Sequence, residues 1–170
     1  MLEYVSTGSA ETRPLAGRTV HLMTDVLFYH LEARPLEAVL PQLLEKTLER
    51  GWRAIIEVGS TERAEALDAE LWTYRDDSFL AHGLAGSPTD AHQPILLTTA
   101  TDNPNGAACR FFVGRAVPQS FEGYERLVYL FSGHDPDALA EARLAWRALK
   151  DSGQLTYWQQ EANGRWTKKA

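Results

Sequence analysis

Apolar positions along the chain fall into short runs separated by helical periods and turn residues. Asp25–Tyr29 (DVLFY) is a compact apolar run, suited to a strand buried on both faces. From about Pro35 to Arg50, Leu36, Val39/Leu40, Leu43/Leu44 and Leu48 keep a helical period. Pro35 fits its first turn and Gly51 its stop. Arg53–Val58 (RAIIEV) predicts a second strand. Ser60 is placed to cap a helix over Thr61–Trp72, with Ala64, Leu67 and Leu71 facing inward. A polar elbow runs from Trp72 to Leu84, then a Gly/Pro/Ser/Asp loop over Ala85–Gln93. Ile95–Thr99, Ala107–Val113 and Arg126–Phe131 predict three more strands, with turn chemistry at Asp102–Gly106 (DNPNG). Asp135-Pro136 opens a helix from about Asp137 to Lys150. The tail, Leu155–Gln160 then Gly164–Trp166, predicts a hairpin or an edge strand. Strands alternating with helices imply one three-layer α/β domain, its sheet mostly parallel and its helices on both faces.

The first strand-to-helix connection, His30-Leu31-Glu32-Ala33-Arg34-Pro35, contains no glycine. It cannot approach a pyrophosphate closely, and no Gly-Lys-Ser/Thr follows to hold a triphosphate. The wrapping is therefore Rossmann-like without a phosphate-binding loop, and no cofactor is expected. Histidines 21, 30, 82, 92 and 134 show no metal-ligand spacing, so no metal is expected either. Gly86-Ser87-Pro88 lacks the second glycine of a nucleophile elbow. His30 follows the first strand, where α/β enzymes place catalytic groups. With Asp25 or the Asp76-Asp77 pair it offers an alternative reading, a small enzyme acting on a nucleotide or phosphoester. The favoured reading has no catalytic residue: His30 is a strand-end histidine with a hydrogen-bond partner, and Asp76-Asp77 are solvated.

A net charge of −6 argues against gripping nucleic acid over the whole surface. Direct single-strand binding through Trp146 and Arg147 is a further rival reading. The single cysteine, Cys109, lies in the apolar run AACRFFV; it reads as a buried strand residue and fits a reducing cytoplasm. No apolar stretch is long enough to span a bilayer, and no secretory core opens the chain. Met1–Leu22, rich in Gly, Ser, Thr and Arg, reads as a disordered arm or as sequence upstream of a start at Met23; the second is favoured.

Two surfaces carry candidate binding chemistry. Trp72 sits at the end of its helix, off the inward stripe, and Phe79 follows across the charged elbow. The pair serves either as a partly exposed anchor or as closure of the core edge. On the last helix, Leu139, Ala142, Trp146 and Leu149 follow an inner face, while Arg143, Arg147 and Lys150 form a basic stripe beside it. The stripe suits an acidic peptide with a hydrophobic end, or is a solvated face that compensates the helix dipole.

Leu67-Asp68-x-x-Leu71-Trp72 followed by Ser78-Phe79-x-x-His82-x-Leu84 resembles the signature of the chi subunit of bacterial DNA polymerase III holoenzyme. Phe28-Tyr29, Gly51-Trp52-Arg53 and Arg143-x-x-Trp146-Arg147 support the resemblance, which runs from about Met23 to Trp166. It implies a Rossmann-like α/β fold and a noncatalytic accessory subunit in DNA replication. Such a subunit joins the clamp loader through the psi subunit and holds the acidic C-terminal tail of single-stranded-DNA-binding protein. By position, Arg143, Trp146 and Arg147, with Lys150, would hold the tail; Trp72 and Phe79 would face psi or a repair-type helicase. The resemblance also implies a cytoplasmic monomer within a heteromeric complex, touching nucleic acid mainly indirectly and no membrane. Two features depart from the family pattern: Ala81 stands where proline often precedes the elbow histidine, and Trp146-Arg147 replace an aromatic ring and a lysine of some relatives. The first loosens the elbow; the second keeps the wall and improves the carboxylate fork.

Overall fold

A computed structural model describes residues 24–170 except Ser78, Gln119, Ser120, Phe121 and Ser152. The expectation for Met1–Leu22 lies outside the described residues. In chain order the elements are β1 (Asp25–Leu31), α1 (Leu36–Glu49), β2 (Ala54–Val58), α2 (Thr61–Trp72), β3 (His82–Leu84), β4 (Ile95–Thr98), β5 (Cys109–Val113), β6 (Arg126–Ser132), α3 (Pro136–Leu149), β7 (Gln154–Gln160) and β8 (Trp166–Lys168). One sheet takes the order β3-β4-β2-β5-β6-β1-β7-β8. Neighbouring strands are parallel except β7 and β8. The tail is thus both expected forms at once: β7 pairs with β1, and β8 folds back on it as the sheet's edge.

Period-two alternation sorts the sheet into two faces. Ile56, Val58, Leu97, Phe111, Val113, Val128 and Leu130 pack under α1 and α2. Val26, Phe28, Leu127, Tyr129 and Phe131 pack under α3. Aromatic side chains already fill the second layer, so α3 turns its small side chains inward. Ala138, Ala142, Ala145 and Leu149 are buried, which leaves Leu139 and Trp146 half-buried at the border rather than on the inner face the sequence predicts.

Three other local expectations shift. Strand β1 runs on to Leu31, so His30 lies inside it rather than after it. Pro35 is the N-cap of α1, one position before the first turn, with φ −71° and ψ 165°. The elbow ends in a short strand, β3, that its polar sequence hides. Gly51, at φ 78°, terminates α1 in the left-handed conformation that glycine adopts without penalty.

Over β2 and β4 the second face carries only a small apolar cluster, Ile55, Leu96 and Ala107. A buried ion pair holds the loop that covers this region. Arg110 Nε donates to Glu57 Oε2 at 2.8 Å, and its guanidinium also donates to the Asp102 and Ala100 carbonyls and to the Tyr124 hydroxyl.

Candidate protein-binding sites

The basic stripe of α3 borders a groove of about 460 Å³. Arg143, Trp146 and Arg147 form one wall, and Tyr157 and His30 close the floor. Trp146 is wedged edge-on against Phe28 (centroids 5.1 Å apart, planes at 70°) and against Tyr157 (5.9 Å, 75°). Its ring is therefore a fixed wall. Arg143 and Arg147 are exposed and have no ion-pair partner among the described residues. Lys150 does not line the groove. It is the C-cap of α3, its backbone N–H donating to the Trp146 carbonyl at 3.0 Å, and its charge sits at the negative end of the helix dipole.

Behind the groove floor, His30 Nδ1 lies 2.8 Å from the Tyr157 hydroxyl and Nε2 lies 2.7 Å from Glu32 Oε1. Burial lowers the His30 pKa against the opposing pull of Glu32. Burial likewise raises that of Tyr157, with Arg143 opposing. A Cβ at Gly133 would collide with His30 and with Glu32, so the β6–α3 turn needs glycine there. The alternation of Leu155, Tyr157 and Gln159 in the tail strand was the available signal for this floor, since it sends Tyr157 to the α3 face.

At the elbow the signature residues meet in space. His82 is buried, with Nδ1 2.6 Å from the Leu80 carbonyl and Nε2 3.1 Å from the Asp68 carboxylate. The Trp72 ring leans on the imidazole (centroids 4.3 Å apart, planes at 39°) and lies 6.0 Å from the Phe79 ring. Both outer rings stay open to solvent: Trp72 is 53% exposed and Phe79 is 77% exposed. Neither outer ring closes the core edge, one of the two readings that the sequence left open. Leu67 and Leu71 hold the helix to the core, and the Asp68–His82 contact fixes the turn that presents the two rings.

The groups of the enzymatic alternative do not converge. Asp25 lies at the far end of β1 from His30, about 17 Å away at strand rise, beside Arg126 (3.3 Å). Asp77 is held bidentately by Arg75 at 2.9 and 2.8 Å, and Asp76 is exposed. Among the described residues no three His, Cys, Asp or Glu side chains gather as a metal site would require. A hollow of about 540 Å³ does open at the carboxyl ends of β1 and β6, where α1 and α3 leave to opposite faces. Open α/β sheets bind ligands at such a point. Here the amides of the β1–α1 turn are already engaged: Gln160 Oε1 accepts from Ala33 and Arg34 at 2.9 and 2.8 Å, and from Glu32 at 3.4 Å.

The sequence profile of the family described as DNA polymerase III chi subunit, HolC, matches residues 23–156. The chain belongs to the DNA polymerase III chi subunit family. A chi family relative, described as "Probable DNA polymerase III subunit chi" of Rickettsia prowazekii (strain Madrid E), is 29% identical over 89 residues. That match takes in 52% of this chain and 54% of the relative, so the chain spans about half the relative's length. Among solved structures, the C-terminal domain of the DEAD-box protein Dbp5 is similar with a TM-score of 0.49 and 13% identity, over 81% of this chain and 91% of that one. The family description and the relative's name both designate a subunit of DNA polymerase III. No helix among the described residues is long and apolar enough to cross a membrane.

Proposed function

We propose that this chi family member is a noncatalytic coupling protein of the cytoplasmic replication machinery. The α3 groove holds the acidic C-terminal tail of single-stranded-DNA-binding protein, and the Trp72–Phe79 elbow holds the clamp-loader psi subunit or a repair-type helicase. The observation that carries the first half is that two exposed arginines without an ion-pair partner among the described residues, Arg143 and Arg147, line the same groove as the fixed Trp146 ring. The arginines attract the tail's carboxylates, one of them pairs with the terminal carboxylate, and the Trp146–Tyr157 wall takes a terminal aromatic side chain. Lys150 lies beyond the groove and adds only long-range attraction. The exposed stripe makes this attraction salt-sensitive. Many tails on coated DNA supply strength by effective concentration, and contact with nucleic acid is mainly indirect. The protein acts as a monomer within a heteromeric complex.

Titration with a short acidic peptide ending in Pro-Phe, followed by tryptophan fluorescence, tests the reading. Saturable binding is expected, together with its loss in Arg147→Glu and with a C-terminally amidated peptide. A well-folded protein that ignores the free-acid peptide would defeat the tail assignment.

A further inference from the structure

Three of the four large exposed hydrophobic side chains among the described residues, Trp72, Phe79 and Leu84, belong to the end of α2, the elbow and the outer strand β3. Helical geometry extends the patch along α2. Ala69, Glu65 and Glu62 precede Trp72 by three, seven and ten residues. At about 100° per residue the four fall within roughly 80° of arc, opposite the buried Ala64, Leu67 and Leu71. Glu65 then stands about 10 Å along the helix from Trp72. Glu62, Glu65 and Asp76 are exposed and have no ion-pair partner among the described residues.

The nearby cations are engaged. Arg75 is clamped on Asp77, and Arg63 donates to the Gly114 carbonyl at 2.8 Å. An aromatic anchor is therefore approached over an anionic stripe, the reverse of the α3 surface. Nucleic acid, an anionic membrane and an acidic segment would all meet like charge along this path. We infer that the elbow receives a basic amphipathic segment of a protein partner. Its apolar side chains cover Trp72 and Phe79, and its lysines or arginines lie along Glu65 and Glu62. The inference rests on the reading of the elbow as a partner site and adds the partner's chemistry to it. Matching charge along the helix steers encounter and register, while the aromatic pair supplies most of the affinity.

A displayed library of random peptides about four helical turns long, selected on the full chain, tests this. Peptides that also bind the Trp72→Ala/Phe79→Ala double variant are discarded. That variant has unchanged charge, so nonspecific attraction is subtracted. Phe79→Ala alone provides a second filter, because so exposed a ring can be removed without unfolding the chain. The retained peptides are expected to carry apolar residues at helical spacing followed by Lys or Arg. Synthetic copies should bind Phe79→Ala about 10-fold more weakly. They should lose roughly 3- to 10-fold on Glu62→Lys/Glu65→Lys.

If no peptide depends on Trp72 and Phe79, the elbow reading itself falls. Dependent peptides that are neutral or acidic, or indifferent to the Glu62→Lys/Glu65→Lys change, would overturn the basic partner and leave the elbow as an anchor. A second copy of the chain is the other basic candidate, since its α3 carries Arg143, Arg147 and the exposed Leu144. A mass in light scattering that rises with concentration and falls with Phe79→Ala would replace the heterologous partner by self-association.

Discussion

Truncating Gln160 to alanine asks why this α/β scaffold offers no anion site at its first βα turn. The change removes the one oxygen that gathers the Ala33 and Arg34 amides at 2.9 and 2.8 Å; the Glu32 contact at 3.4 Å adds little. Ala33 and Arg34 are exposed, so water reaches the freed amides and each lost bond costs about 1 kcal/mol net. Gln160 is 2% exposed, and removing its inner methylene adds about 1 kcal/mol. The expected destabilisation is about 3 kcal/mol, read from urea unfolding by circular dichroism and tryptophan fluorescence. A second arm makes the test specific. Three amides that converge on one oxygen form a concave donor site, which sulfate can fill once that oxygen is gone. Sulfate should stabilise Gln160→Ala more than the wild type at matched ionic strength. A loss below about 1 kcal/mol, with no difference in sulfate, would refute the claim that Gln160 occupies the site.

Further outcomes follow from the same geometry. Arg147→Ala should leave stability within about 0.5 kcal/mol and weaken acidic-peptide binding by about 1.5–3 kcal/mol. Trp146→Ala should lower both, with about 2 kcal/mol lost from folding because the ring packs on Phe28 and Tyr157; parallel titrations and urea melts separate the two variants. Arg110→Met strands the buried Glu57 carboxylate and should cost about 3–5 kcal/mol, much of it recovered in Arg110→Met/Glu57→Leu. Burial holds folded His30 below its ordinary pKa of 6.5, so as pH falls the unfolded chain takes the proton first. Its contribution is therefore intact above about pH 6.5 and erodes below it, until the lowered folded value is passed. The gap in urea midpoint between wild type and His30→Gln should change across that window, and a constant gap would contradict the assignment.

The legible parts of the fold were those written in local chemistry. Ser60 and Asp135 cap their helices with side-chain oxygens, Gly51 ends one, and β2, β4 and β5 announce buried strands by apolar runs broken only at Glu57, Thr98 and Arg110. Hidden features depend on partners distant in sequence. Arg110 looks out of place in an apolar strand until Glu57, 53 residues earlier, comes beside it. His82 reads as one of several scattered histidines, although Asp68, 14 residues before it, completes its contacts. Strand β3 has only three residues and takes its identity from pairing with β4. The inward face of α3 departs in part for a similar reason: Ala142 and Leu149 are buried as the period predicts, Leu139 and Trp146 only partly. Periodicity locates a stripe, but the aromatic sheet beneath decides that alanine, rather than Trp146, fits it. For the candidate sites, the cationic stripe and the elbow rings were visible as residue types, whereas the Tyr157 floor needed the β1–β7 pairing.

The order of strands has a mechanical consequence. The elbow hangs from β3 and α2 at one edge, and the groove floor is built on β1 and β7, five strand spacings or about 24 Å away and on the opposite face. Partners gripping both surfaces at once would hold opposite faces of the sheet, and tension between them would run crosswise through the backbone ladders. The shortest ladder between the two surfaces, β3 against β4, has three paired positions, but α2 joins the elbow covalently to the central β2 and carries load past that seam. The sheet is therefore a stiff spacer. Under load the more quickly released of the two grips would set how long the connection lasts.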